Sequence, residues 1–314
     1  MSIIRITVIG AFVSFLLASC HGGKKQEEVQ TLYSGNITIA VDETLKPIME
    51  EELQVYRALT PEAVVTPIYC NEVEAVNLLM KDSVRLAITN RRLTEKEISS
   101  FHSRKFFPES VAMAVSGLAL IVHKDNPDSL ITVSQLRDIL SGKITSWGSL
   151  SSGKGKGDIQ VVFDNPNSGT VHYAIDSICK GKPMGENVKA LATNEEVIRY
   201  VSSARGALGI ISANWVGNDA DTTRLSFNES VCVMAVSDGH EAASYNSYKP
   251  YQAYLALRKY PLTNEVYILI NDPAGALPTG LMTFLTSDRG QRIILKSGLV
   301  PATQPVRLVN VKED

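Results

Sequence analysis

Ser168-Gly169-Thr170 sets two hydroxyls and an unsubstituted backbone position at the start of a predicted helix. Helix N-termini offer free N–H groups and the positive end of a dipole. Hydroxyls add donors without bulk, and glycine lets the main chain approach a ligand closely. Together these groups suit capture of a small, dehydrated oxyanion. Thr44 and Leu45 stand at a second predicted helix start, Leu45 acting through its backbone N–H, and Asn71 begins a third. The competing reading is that Ser168 and Thr44 are plain helix caps. For catalysis the chain offers little. Its five histidines (His21, His102, His123, His172 and His240) form no His-Glu-x-x-His pattern, and no Gly-x-Ser-x-Gly elbow occurs. His172, two residues beyond Thr170, is the one residue that would serve a phosphatase-like site. The sequence therefore reads as a binding protein rather than an enzyme, with no cofactor and no metal.

The elements that position these residues follow from periodicity. Asn36–Val41 alternates with the two-residue period of a strand. A helix follows over 45–59, with Pro47 in its first turn, where a missing N–H does no harm. A strand over Val64–Tyr69, a helix over Glu72–Lys81 and a strand over Val84–Thr89 continue the alternation. Such alternation implies βαβ units and a parallel sheet. Further along, an apolar β-rich run spans Val111–Lys124, and Thr132 or Ser134 caps a short helix to Leu140. The Gly/Ser/Lys stretch Ser149–Asp158 is a loop without Walker spacing. Ile159–Phe163 predicts a strand, and a helix runs from the Ser-Gly-Thr turn to about Cys179. Then come a helix over Glu195–Ser202, strands over 207–211 and Val266–Ile270, and a last helix over Gly280–Leu295. Open α/β sheets bind ligands beyond the C-terminal ends of their strands, which singles out the loops after Val41, Thr89 and Phe163.

The 314 residues amount to roughly two domains. With 44% apolar and 20% charged residues the chain is globular, not disordered or collagenous. Lys plus Arg number 31 against 33 Asp plus Glu, a net charge of -2, so there is no cationic excess for a nucleic-acid backbone. At the N-terminus Arg5 precedes an uncharged run, Ile6–Leu17, which is the layout of a secretory signal. The run is shorter than the ~20 residues of a spanning helix. Leu17-Ala18-Ser19-Cys20 resembles a bacterial lipobox. That resemblance implies removal of residues 1–19, lipid on Cys20 and a polar tether over 20–35. The protein would then be anchored at the cell envelope, facing the periplasm or the exterior. The processed chain carries 30 cations and 33 anions, a net of -3. Cys70, Cys179 and Cys232 match no zinc spacing. One disulfide or buried free thiols would both fit.

Several segments, in order, resemble a known family. TVSQLRDILSGKITSWGSL (132–150), Asn167-Ser168-Gly169-Thr170, Ala207-Leu208-Gly209-Ile210, Gly290-Gln291-Arg292 and Ser297-Gly298-Leu299-Val300-Pro301 resemble the phosphate-binding branch of ABC-importer substrate-binding proteins. The resemblance runs from about Asn36 to Thr303. It implies an α/β, two-lobed type II periplasmic binding protein fold, each lobe a mixed, mostly parallel sheet flanked by helices. Lobe one would be 36–117 plus 268–314, and lobe two 118–267. The apolar strands near Leu118–Val122 and Val266–Ile270 would be the two hinge crossings. The implied ligand is inorganic phosphate. The implied partners are an importer permease and its ATPase, on separate chains, with the binding protein a monomer.

Two positions depart from the family pattern. An Arg is usual four residues before the Ser of Ser-Gly-Thr, and here that residue is Asp164. An Asp is usual after the strand aligned with LAITN, and here Asn90 stands there, followed by Arg91 and Arg92. The resemblance therefore suggests exchanged charges, with Arg91 or Arg92 as the cation and Asp164 paired to it across the cleft. Asp164, Asp42 or Glu43 would accept a phosphate proton and repel fully ionised sulfate. Alternatively, Arg91 and Arg92 are solvated loop charges. Carboxylates beside a dianion are unfavourable. The missing Arg keeps open a lipid-anchored sensor or interaction protein with a degenerate site, and a protein for another oxyanion or small polar ligand is a further alternative.

Overall fold

The computed structural model describes residues 30–150, 155–218, 221 and 226–306. The signal, the lipobox at Cys20 and most of the expected tether lie outside the described residues. The described residues from Thr31 onward belong to one compact unit.

Strand β1 (Gly35–Asp42) alternates in exposure at first and is then buried throughout its last four residues. Asp42 turns the chain by accepting the N–H of Thr44, which starts a single 3-10 turn over Glu43–Leu45. Helix α1 (Lys46–Leu59) follows, with Pro47 in its first turn. β2 (Ala63–Cys70) runs parallel to β1, in register from Gly35↔Ala63 to Asp42↔Cys70. α2 (Glu72–Met80) is capped by Asn71, and β3 (Leu86–Thr89) lies on the other side of β1. α3 (Glu95–Ser103) begins with a Thr94/Glu97 capping box that the sequence reading passed over. β4 (Glu109–His123) is the longest strand described.

The middle of the chain holds β5 (Leu130–Thr132), α4 (Val133–Leu140), β6 (Gln160–Phe163) and α5 (Gly169–Tyr173). α5 continues as a π turn over Ala174–Ile178. β7 (Val188–Ala190), α6 (Asn194–Ser203), β8 (Ala207–Ser212), β9 (Val231–Val233), β10 (Ala235–Ser237) and α7 (Gln252–Ala256) complete it. β11 (Thr263–Ile270), α8 (Leu277–Thr286), α9 (Asp288–Lys296) and β12 (Val300–Pro301) close the chain.

The main sheet has the order β2-β1-β3-β11-β4-β8-β6-β7, with β9 and β12 also on β4. β4 joins its two halves. Residues 109–117 pair with β11, and 118–122 pair with β8. In the first half β1, β2 and β3 are parallel; in the second β6, β7 and β8 are. Each half has its own core. One is built on Ile39, Leu53, Ile88 and Leu281, the other on Leu120, Trp147, Val161 and Ile210. The architecture is the two-lobed α/β fold expected.

Two expectations need correction. β11 pairs only with β3 and the first half of β4, so the return between halves falls at Tyr260–Leu262 and not within Val266–Ile270. There Leu118 donates its N–H to Leu262 O (2.8 Å), and the Tyr260 hydroxyl donates to Leu118 O (2.5 Å). Hydropathy reveals only the buried end of β11. Its polar start, Thr263-Asn264-Glu265, already pairs with β4. Likewise, the single helix expected over Gly280–Leu295 is two helices. Ser287 donates its N–H to Phe284 O, ending α8, and its hydroxyl accepts from Gly290 N, starting α9. Cys70, Cys179 and Cys232 are unpaired thiols. Among the described residues, no helix is long and apolar enough to cross a membrane.

Candidate functional site

The C-terminal ends of the parallel strands in both halves converge. The first half brings Asp42 to Leu45 after β1, Asn71 and Glu72 after β2, and Asn90 and Arg91 after β3. The second brings Asp164 and Ser168 to Thr170 after β6, Asn194 at the start of α6, and Trp215 after β8.

Asn90 organises the first side. Its Nδ2 donates to Asp42 Oδ2 (3.0 Å) and Thr44 Oγ1 (2.8 Å), and its backbone N–H donates to Glu72 Oε2 (3.1 Å). Asn264 Nδ2 holds the amide from behind by donating to Asn90 Oδ1 (2.8 Å). On the other side, Ser168 caps α5 by accepting from Val171 N (3.3 Å). Its hydroxyl also bonds Asp164 Oδ1 (2.7 Å), and the Thr170 hydroxyl reaches the same oxygen (2.5 Å). Asn194 Nδ2 lies 3.3 Å from Asp164 Oδ2.

The two sides touch directly. Asn194 Nδ2 donates to Glu43 Oε2 (2.7 Å), Trp215 Nε1 donates to Thr44 O (2.9 Å), and His172 Nδ1 lies 2.9 Å from Glu72 Oε1. Gly169 shows how close the approach is. A Cβ added there would lie 2.7 Å from Asn90 Nδ2, 2.9 Å from Asp42 Oδ2 and 3.0 Å from Glu72 Oε2. Only glycine fits this closed arrangement, and the space above it is smaller than a methyl group.

Carboxylates dominate the electrostatics. Asp42, Glu72 and Asp164 are buried, and Glu43 joins them through Asn194. Burial, with repulsion from Glu72 next, pushes Asp42 up to about 8, although the Thr44 N–H favours its ionised form. Burial also raises Glu43 to about 7, against the hydrogen bond from Asn194. The carboxyl of Asp164 is raised by burial, which outweighs its hydrogen bonds from Thr170 and Ser168. Arg91 stands at the edge of the site, its Nε 3.5 Å from Glu72 Oε1 and its guanidinium forked onto Glu97 (2.8 and 2.9 Å). Among the described residues, no group of three His, Cys, Asp or Glu side chains could hold a metal ion.

Of the residues expected from the sequence, the structure brings together Thr44, Asn90, Asp164, Ser168, Gly169 and Thr170, with Arg91 at the edge through Glu72. Leu45 lies in the core of the first half. Asn71 caps α2 by accepting from Glu74 N (2.9 Å). Arg92 stacks on the Tyr267 ring, 4.8 Å from its centroid. The expected charge exchange is not formed. Asp164 meets Ser168, Thr170 and Asn194, while the fork of Arg91 is taken by Glu97, whose position on α3 the sequence reading passed over. Glu72, Asn194, Asn264 and Trp215 were missed. Glu72 was within reach of sequence reasoning as the first residue of a predicted helix beside Asn71. Asn194 follows Thr193, whose hydroxyl caps α6 at Glu196 N. For Asn264 and Trp215 no local signal exists, because their partners are 174 and 171 residues distant.

A family model for the PBP superfamily domain matches residues 26–289. The phosphate-binding protein PstS of Pseudomonas aeruginosa is 24% identical over 296 residues, covering 89% of this chain and 87% of its own. That of Borreliella burgdorferi is 23% identical over 305 residues, covering 94% and 97%. Among solved structures, a protein from Clostridium perfringens that holds bound phosphate superposes with a TM-score of 0.72 at 20% identity, over 85% of this chain and all of its own. An ABC-type phosphate transport receptor from Vibrio cholerae gives 0.64 at 24% identity, with the same coverage. These relatives are named as binding and transport proteins, not enzymes, and the structural likeness extends to both halves of the fold. With its two half-sheets and facing strand ends, and with the family model matching most of its length, the chain belongs to the PBP superfamily.

Proposed function

We propose that this protein is the substrate-binding component of an ABC importer, capturing inorganic phosphate between its two lobes and delivering it to a separate permease and ATPase. Lipid on Cys20 would tether it to a membrane, on the periplasmic or outer side. The lobes would be 36–117 plus 268–314 and 118–267, with the second boundary drawn nearer Tyr260–Leu262 to follow the strand pairing.

One observation carries this reading: Ser168, Gly169 and Thr170 from one half-sheet stand against Asn90 and Thr44 from the other. Hydroxyls, an amide and a close-approach glycine from both lobes are the donor set an oxyanion needs. In the closed arrangement the gap over Gly169 would not admit a methyl group. Loading therefore requires the lobes to part and re-close on the ligand, whose contacts to both sides would favour closure. Titration calorimetry with phosphate, sulfate, molybdate and arsenate tests this. Phosphate should bind with one site per chain.

A second reading has specific support. Asp164 already lies on both hydroxyls of the loop, and the carboxyls of Asp42 and Glu43 face it. On this reading the protein keeps the fold but serves as an envelope sensor or interaction protein. Absence of heat with all four oxyanions would favour it.

A further inference from the structure

Three oxygens at the base of the Ser168–Thr170 loop form a closed triangle. Ser168 Oγ lies 2.7 Å from Asp164 Oδ1, Thr170 Oγ1 lies 2.5 Å from the same atom, and the two hydroxyl oxygens are 2.7 Å apart. Oxygens this close are in hydrogen-bond contact, and each contact needs a proton. The two hydroxyls bring two protons for three contacts. With Asp164 ionised, one side of the triangle faces lone pair to lone pair, or two contacts share one proton. With Asp164 as the acid, three protons serve three contacts, and each oxygen donates once and accepts once around the ring.

The surroundings agree. From the first half, Asp42 at the end of β1, Glu43 in the turn after it and Glu72 on α2 present carboxylates to this region. Glu195 on α6 adds a further negative charge beside Glu43. The basic side chains nearby, Arg91 and His172, are both held at Glu72. Among the described residues, none of them forms an ion pair with Asp164. Its other oxygen meets the neutral amide of Asn194. The backbone N–H groups of Asn165 and Asp164 favour the ionised form, and burial, the larger effect, penalises it.

We propose that Asp164 is held as the neutral acid and sets the charge that the cleft accepts. Its O–H is a third donor, beside Ser168 and Thr170, for a small tetrahedral oxyanion. Loss of its proton turns the same position into a repelling carboxylate. This rests on the anion-capture reading given above and adds its control. An arriving oxyanion opens the ring and takes its donors, so binding is strong only while Asp164 keeps its proton. Affinity then falls as pH rises through the titration of Asp164, by about tenfold per pH unit for one linked proton.

The test is calorimetric titration of inorganic phosphate from pH 5 to pH 9 into the wild type and Asp164→Asn, which is close in shape and stays neutral. Comparing the two proteins cancels the titration of phosphate itself. The wild type should lose affinity with a slope one proton steeper than the variant, and Asp164→Asn should bind at least tenfold tighter than the wild type at pH 9. A purely structural role for Asp164 would lower affinity equally at every pH. Equal slopes with both proteins binding overturn the inference and leave phosphate capture standing. No heat from either protein at any pH overturns both. If Asp164→Asn does not fold, the carboxyl 13C signal of Asp164 in the labelled, ligand-free wild type decides. A carboxylic-acid shift at pH 6 is expected, and a carboxylate shift there overturns the inference.

Discussion

Gly169 and Asn90, from opposite half-sheets, approach so closely that a methyl group on Gly169 would lie 2.7 Å from the Asn90 amide nitrogen. Closure of the cleft therefore depends on the absence of a side chain at one position. Gly169→Ala should leave each lobe folded but hinder their closure. Overpacking of this kind costs about 1–3 kcal/mol, or roughly 5- to 150-fold in affinity. Calorimetry with phosphate, beside a melting curve, checks it. Undiminished affinity would show that the ligand-bound form is not the one described.

Asn90 satisfies Asp42, Thr44, Glu72 and Asn264 at once. Asn90→Ala removes the partner of Asp42 Oδ2 and of the Asn264 amide. Unsatisfied buried polar groups cost about 1–3 kcal/mol each. Urea unfolding should show a loss in that range, and phosphate affinity should fall with it.

Stability should also depend on Glu52. It is fully buried on α1, and among the described residues neither carboxyl oxygen has a hydrogen-bond partner. Burial pushes its carboxyl from 4.5 up to about 9. Between those values the folded chain keeps a proton that the unfolded chain releases. The stability that this protonated group contributes is complete below about 4.5, falls as pH rises, and levels off above about 9. Glu52→Gln removes this titration. Its gain in Tm over the wild type should be clear at pH 8 and absent at pH 4. An equal change at both values would contradict the assignment.

Gly117 marks the passage between the lobes. A Cβ there would stand 2.9 Å from Leu262 O, beside the Leu118–Leu262 hydrogen bond. Gly117→Ala should destabilise the protein by about 1–3 kcal/mol through backbone displacement at the crossing. Thermal unfolding measures it, and an unchanged Tm would mean that the two strands separate there freely.

The elements were legible where a local pattern sets them. The alternation in NITIAV, Pro47 in the first turn of α1, and the caps at Asn71 and Thr132 gave β1, α1, α2 and α4 to within a residue or two. Local pattern failed where one residue plays two parts, as Ser287 does between α8 and α9. It failed again where a strand begins on polar residues, as β11 does. For the site, helix-start chemistry singled out Thr44, Ser168, Gly169 and Thr170, and the fold brings these four to facing strand ends. The partners of the charges were not legible. Arg91 is claimed by Glu97 six residues away, and Asp164 by the very hydroxyls expected to serve the ligand. Asn194 and Trp215 enter the site only through folding, across 151 and 171 residues of chain.

The central claim is that hydroxyls at facing strand ends, drawn from both lobes, wrap a small tetrahedral anion. Calorimetric titration of phosphate into the wild type and into Ser168→Ala/Thr170→Ala tests it most directly. The account predicts one binding site per wild-type chain and at least a hundredfold loss of affinity in the double variant. A wild type that gives no heat, or a double variant that binds as tightly as the wild type, would contradict it.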